Sequence, residues 1–135
     1  MVRDVYLNKV EIIERCLMRV EEVYAGNEES LLDYTKQDSI VLNMQRAIEA
    51  SIDLAMHIVS ERKLGIPQNS RDAFEVLAHH GFIDQELLKN LKAMIGFRNI
   101  AVHHYQKLNL EILKQVIENH LGDFKEFLDR VGKLM

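Results

Sequence analysis

Apolar residues along this chain recur at helical spacing, and the pattern divides it into a series of amphipathic helices. Val5, Ile12, Ile13, Cys16, Leu17, Val20 and Val23 fall at steps of three and four with Lys, Glu and Arg between them, which predicts a helix over residues 2–24. Ala25, Gly26 and Asn27 end it, Gly26 being suited to the left-handed turn at a helix stop. Leu31, Leu32 and Tyr34 form a short apolar connector. A longer stripe through Ile40, Val41, Met44, Ala47, Ile48, Ser51, Ile52, Ala55, Met56 and Val59 predicts a second helix over residues 38–63, stopped by Leu64, Gly65, Ile66 and Pro67. Ser70 is placed to cap a short third helix with Phe74, Leu77 and Ala78 facing inward and Gly81 closing it.

Asp84 caps a fourth helix, where Ile83 and Leu88 have the spacing of a hydrophobic staple and Leu87, Leu91, Met94 and Ile95 carry the stripe. Asn109 caps the last, with Leu108 and Leu113 as its staple and an apolar face through Ile112, Val116, Ile117, Leu121, Phe124, Phe127, Leu128 and Val131. The pattern predicts an all-α, up-and-down helical bundle of four long helices and one short one, forming a single domain over residues 1–135. One proline and six glycines are too few for the turns of an all-β fold of this length. Helices this apolar can also self-associate, most commonly as a two-fold dimer.

Composition adds compartment and exclusions. A single cysteine, Cys16, leaves no internal disulfide framework and no Cys-rich zinc module, and fits a reducing compartment. No apolar run approaches the ~20 residues of a membrane span or follows the first residues as a signal peptide would. The expected location is cytoplasmic, with no membrane partner. Gly-rich phosphate loops and Gly-x-Ser-x-Gly elbows do not occur, so the sequence gives no support to nucleotide hydrolysis or serine chemistry.

Charge is unevenly spread. The net charge is −4, yet residues 87–110 contain no Asp or Glu and carry Lys89, Lys92, Arg98 and Lys107. Inside this basic window lies Arg98-Asn99-Ile100-Ala101-Val102-His103-His104-Tyr105. Arg grips phosphate through a bidentate fork, His exchanges protons near neutral pH, and Tyr offers a hydroxyl and a stacking face. At ~100° per residue Asn99 and His103 share one helix face, whereas Arg98 and His103 diverge by about 140°. They meet at one phosphate if the helix loosens near His104, if Arg98 reaches around, or if a second subunit contributes. Gly96 permits close approach of another element two residues before Arg98. A solvated helix end with His near its C-terminal dipole accounts for the bare Arg and His pair equally well.

Arg98-x4-His103-x-Tyr105, with Asn99 after the Arg, in a small all-α chain resembles the HEPN superfamily, and more closely the HepT-like toxins of HepT–MntA toxin–antitoxin systems. The resemblance covers essentially the whole chain. It implies a type VII-like toxin: a metal-independent endoribonuclease without cofactor, active as a homodimer whose two motifs line one cleft. Arg98 would then orient the scissile phosphate, His103 would act as general acid or base, and Asn99 would support them. Lys89, Lys92, Lys107 and His104 would hold the RNA, whether tRNA or mRNA. Tyr105 resembles the tyrosine that a cognate MntA-like nucleotidyltransferase antitoxin modifies with AMP. The wider superfamily also implies an alternative, a non-catalytic helical adaptor for a nucleotidyltransferase, nucleotide or RNA.

Glu49, Asp53 and His57 stand at successive steps of four on the second helix. A di-metal bundle needs Glu-x-x-His on two helices, so with Arg46 three residues ahead they read as a supporting polar network rather than a metal site. His79 and His80 read as a helix end, His120 as a satisfied, buried histidine on an apolar face, and Cys16 as core packing.

Overall fold

The computed structural model describes residues 2–135, and among them every regular element is helical. Helix α1 spans Val2–Tyr24, α2 Tyr34–Glu61, α3 Ser70–His79, α4 Gln85–His103, α5 Leu110–Asn119 and α6 Leu121–Gly132. Single 3-10 turns at Glu28–Leu32 and Tyr105–Lys107 fill two of the connections.

Helix α1 ends where its sequence stops it, with Ala25 and Gly26 both at positive φ. The second helix begins earlier than its apolar stripe, because Asp33 caps it by accepting from the Lys36 amide at 3.1 Å. The added polar turn carries Gln37, which is buried. At the far end Lys63, not Gly65, takes the left-handed conformation of the helix stop (φ 54°), and the Leu64 amide returns to the Val59 carbonyl. Asn69 rather than Ser70 caps α3, accepting from the Asp72 amide at 2.9 Å. Asp84 caps α4 and Asn109 caps α5 as their sequences predict. The expected long final helix is two, broken at His120 (φ −126°, ψ 1°). There the His120 ring bonds Asp123 at 2.9 Å, and the half-exposed imidazole is a hinge residue rather than a packed one.

Helix α2 is central, with α1, α3 and α4 packed on it and α6 closing against α1 and α4. One apolar core draws on all six helices. Phe74, Phe124 and Phe127 are its largest fully buried side chains, and Phe74 meets Phe127 edge to face at 5.5 Å. Cys16 is buried on the α1 stripe.

Two sets of bonds mark the two ends of the bundle. At one end Arg130 of α6 pairs with Asp84 before α4, and the Tyr6 hydroxyl of α1 donates to the Leu128 carbonyl. At the other end Tyr24 donates to Glu118 and Lys114 pairs with Glu28. Here α1 finishes, α2 begins and α4 delivers its last turn. None of the described helices is long and apolar enough to cross a membrane.

Candidate active site

The core-facing stripe of α4 runs Leu87, Leu91, Met94 and then, at the same helical position, Arg98, with Ala101 beyond it. Arg98 is half-buried there. A guanidinium at a core position must leave it to stay solvated, since burying an unpaired charge is costly. It does so through Asn99: Arg98 Nε donates to Asn99 Oδ1 at 3.0 Å, within a helix that stays regular to His103. The bond ties the arginine to Asn99, which shares its face of α4 with His103.

His103 is the last residue of α4, and both it and His104 are exposed. The His104 amide closes the helix on the Ile100 carbonyl at 2.8 Å. The next turn brings Tyr105 back against the start of α2. Its hydroxyl donates to Asp38 Oδ1 at 2.6 Å, with Gln37 Oε1 as a longer acceptor at 3.3 Å. Gln37 is itself oriented, because its Nε2 donates to the Leu31 carbonyl at 2.9 Å. Burial, and then the bond to the Asp38 carboxylate and its charge, push the Tyr105 phenol well above its ordinary pKa.

By helical angle Lys89, Lys92, Asn99 and His103 fall within an arc of about 80° on α4. Lys92 is tied to Glu75 of α3 at 2.9 Å, while Lys89 and Lys107 are exposed. Gly96 lies on the same side, and what approaches it is Arg71 from α3 of the same chain. The Arg71 Nη2 sits 3.5 Å from where a Cβ on Gly96 would be. Among the described residues Arg71 pairs with no carboxylate. Ile100 and Val102, also at this end of α4, are 40% and 44% exposed.

Arg46, Glu49, Asp53 and His57 do not bond to one another. Glu49 accepts from Gln45, Asp53 from Lys9 of α1, Arg46 is exposed, and the buried His57 Nε2 has no partner among the described residues. Their bonds lie on α2 and along its seam with α1, and none reaches Arg98, whose orienting partner is Asn99. No group of three or more His, Cys, Asp or Glu among the described residues is arranged to hold a metal.

Asp38, Gln37 and Arg71 are the residues that sequence spacing did not single out. Gln37 had one signal, a polar residue seven positions before Met44 on the apolar stripe.

The all-helical bundle thus carries a guanidinium, a carboxamide and an imidazole on the last two turns of α4, inside the acid-free window. The chain belongs to the Ribonuclease HepT-like family, whose sequence profile matches residues 13–131. It is 50% identical over 126 residues to the mRNA nuclease HepT of Shewanella oneidensis, covering 93% of this chain and 95% of that one. It is 23% identical over 128 residues to the tRNA nuclease HepT of Aphanizomenon flos-aquae, covering 94% and 87%. The solved structure of a tri-AMPylated Shewanella oneidensis HEPN toxin in complex with MNT antitoxin superposes with a TM-score of 0.92 at 48% identity, over 96% of this chain and 98% of that chain.

Proposed function

We propose that this chain is the toxin of a toxin–antitoxin pair, a metal-independent endoribonuclease that acts in the cytoplasm as a homodimer. The observation that carries the reading is the bond from Arg98 to Asn99, which brings a permanent positive charge to the side of α4 where His103 is exposed. In this reading the guanidinium holds the non-bridging oxygens of the scissile phosphate and offsets the charge that builds on them. An imidazole takes the proton of the 2′-hydroxyl as that oxygen attacks phosphorus, and a protonated imidazole gives one to the departing 5′-oxygen. Two copies of His103, one from each subunit, supply both roles. The exposed Ile100 and Val102 beside the motif favour a protein contact at this end of the bundle. Lys89, Lys107 and Arg71 extend the positive surface along which an RNA backbone can run.

Control lies at Tyr105. An MntA-like nucleotidyltransferase partner that adds AMP there places a phosphate and a base among groups that bind phosphate. The relative solved with its antitoxin is itself AMPylated, which supports this assignment.

The test is cleavage of total RNA, tRNA and a defined mRNA by the unmodified chain in EDTA, beside Arg98→Ala and His103→Ala variants that remain folded. Wild-type cleavage abolished by both substitutions is the expected result. Absence of cleavage with Tyr105 shown by mass spectrometry to be unmodified removes the nuclease reading and leaves a binding adaptor.

A further inference from the structure

Apart from the bond that Arg98 makes with Asn99, the catalytic end of the chain is thinly held. Neither His103 nor His104 has a side-chain hydrogen bond among the described residues, and the turn that follows is a single one, closed by the Lys107 amide on the His104 carbonyl and the Leu108 amide on the Tyr105 carbonyl. The side-chain bonds that tie this turn to another helix are those of Tyr105 to Asp38 and Gln37 of α2. Both groups act as acceptors toward Tyr105. Asp38 Oδ1 accepts the phenolic hydrogen at 2.6 Å, and the Gln37 amide nitrogen is already committed to Leu31, which turns its oxygen to the tyrosine. One hydrogen, the phenolic one, therefore makes the polar part of the junction, beside the packing of Tyr105 and Leu108 against the core.

We propose that Asp38 is a positioning residue of the nuclease: with Gln37 it docks Tyr105, and so fixes the His103 end of α4, and AMP on Tyr105 opens this dock. The second half rests on the reading that Tyr105 is the AMP acceptor. In that transfer the tyrosine oxygen bonds to the α-phosphorus of a nucleoside triphosphate, the bond from that phosphorus to the bridging oxygen breaks, and pyrophosphate leaves. The phenolic proton departs through Asp38 to solvent.

The product cannot occupy the old position. Its ester oxygen has no hydrogen to donate, so the carboxylate and the amide oxygen face an oxygen that can only accept. The phosphodiester also carries a negative charge, attached directly to an atom that had been 2.6 Å from Asp38 Oδ1. Loss of the donor and like-charge repulsion act in the same direction. AMP thus inhibits in two ways, by filling the phosphate site and by releasing the segment that places the imidazole.

The test uses the full chain, unmodified or AMPylated by its nucleotidyltransferase partner, with Asp38→Ala, Asp38→Asn and Tyr105→Phe variants. Asp38→Ala and Tyr105→Phe are expected to lower kcat about five- to twentyfold with KM within about twofold, as a displaced imidazole would. Asp38→Asn keeps an acceptor oxygen in place and is expected to retain most of the activity. Hydrogen exchange of the Lys107 and Leu108 amides should quicken in Asp38→Ala and Tyr105→Phe to the level of the AMPylated wild type, while α1 stays protected. Wild-type kcat and exchange in both disruptive variants would overturn the dock. Unchanged exchange on AMP addition would overturn its opening. If mass spectrometry finds no AMP on Tyr105, the modification reading and the opening fall together, and the unmodified variants still judge the dock. If the chain cleaves no RNA, the exchange measurements judge it without activity.

Discussion

Replacing Asn99 by Ala tests the geometry on which the proposed chemistry stands. Asn99 Oδ1 accepts from Arg98 Nε at 3.0 Å, and without it the guanidinium has no described partner on the His103 side. A hydrogen bond to a charged group contributes about 1.5–3 kcal/mol net. Both residues here are half-buried, so solvent screening lowers the expected value to about 1–2 kcal/mol. At 1.36 kcal/mol per factor of ten, Asn99→Ala should reduce kcat/KM by roughly 5–30-fold. Arg98→Ala removes the phosphate-binding charge itself and should cost about 10²–10³-fold. The assay is cleavage of a fluorogenic RNA at several substrate concentrations. Alongside it, NMR can follow the Arg98 Nε proton, which should exchange slowly with solvent in the wild type and quickly in Asn99→Ala. Thermal stability should be nearly unchanged, because no core contact is lost. Cleavage by Asn99→Ala at the wild-type rate would refute the orienting role. A loss as deep as that of Arg98→Ala would refute it in the other direction, by making Asn99 a participant in the reaction.

Three further outcomes follow from other parts of the molecule. Arg71→Ala should raise KM about three- to fivefold and shallow the salt dependence of binding by about 0.7 in slope, with kcat unaltered, if its guanidinium beside Gly96 contacts one RNA phosphate. Titration of the RNA at several salt concentrations checks this. Burial, and then the bond to Glu118, push the Tyr24 phenol up to about 12, above its unfolded value of ~10. Its contribution is therefore fully present below about pH 10 and is lost as pH rises through 12, by at most about 2.7 kcal/mol, of which denaturant midpoints at pH 9 and 11.5 would register up to about 1.8 kcal/mol. Phe127→Ala should cost about 3–5 kcal/mol, because the ring is fully buried against Phe74. Calorimetry should find Tm lower by roughly 10–20 °C, with RNA cleavage preserved well below the transition.

The helices were legible in the sequence wherever apolar period and cap agreed. Helix α1 and the starts of α4 and α5 combine a clear stripe with a stop or cap residue, and the structure has them there. The start of α2 was hidden because its first turn is polar, and only Asp33 as cap reveals it. The break at His120 was hidden for the opposite reason. Apolar spacing runs through it without a gap, while the reversal is made by backbone angles and a bond from His120 to Asp123 that periodicity does not encode. In the site, the residues within one turn of each other could be grouped by spacing, so Arg98, Asn99 and His103 were found together. Tyr105 and Asp38 are 67 residues apart and Arg71 and Gly96 belong to different helices, so those pairings exist only once α2, α3 and α4 have packed.

Arg98 also supports placing the proposed chemistry at this end of the bundle rather than the other. Continuing the α4 stripe with an apolar residue after Leu87, Leu91 and Met94 would lengthen the core by a turn and stabilise the helix end. The chain instead places the one arginine of the acid-free window at that position and supports it with Asn99. Packing alone gives no reason to put an arginine there, and local departures from the folding pattern are expected at functional sites. The same holds for Gln37, a buried amide on the α2 stripe whose oxygen is turned to Tyr105. Two interruptions of two apolar stripes, on helices joined through one tyrosine, put the proposed phosphate-binding group and the proposed control residue at the same end of the bundle. The proposed modification at the tyrosine would therefore act directly on the geometry of this end, with no need for a signal to cross the core.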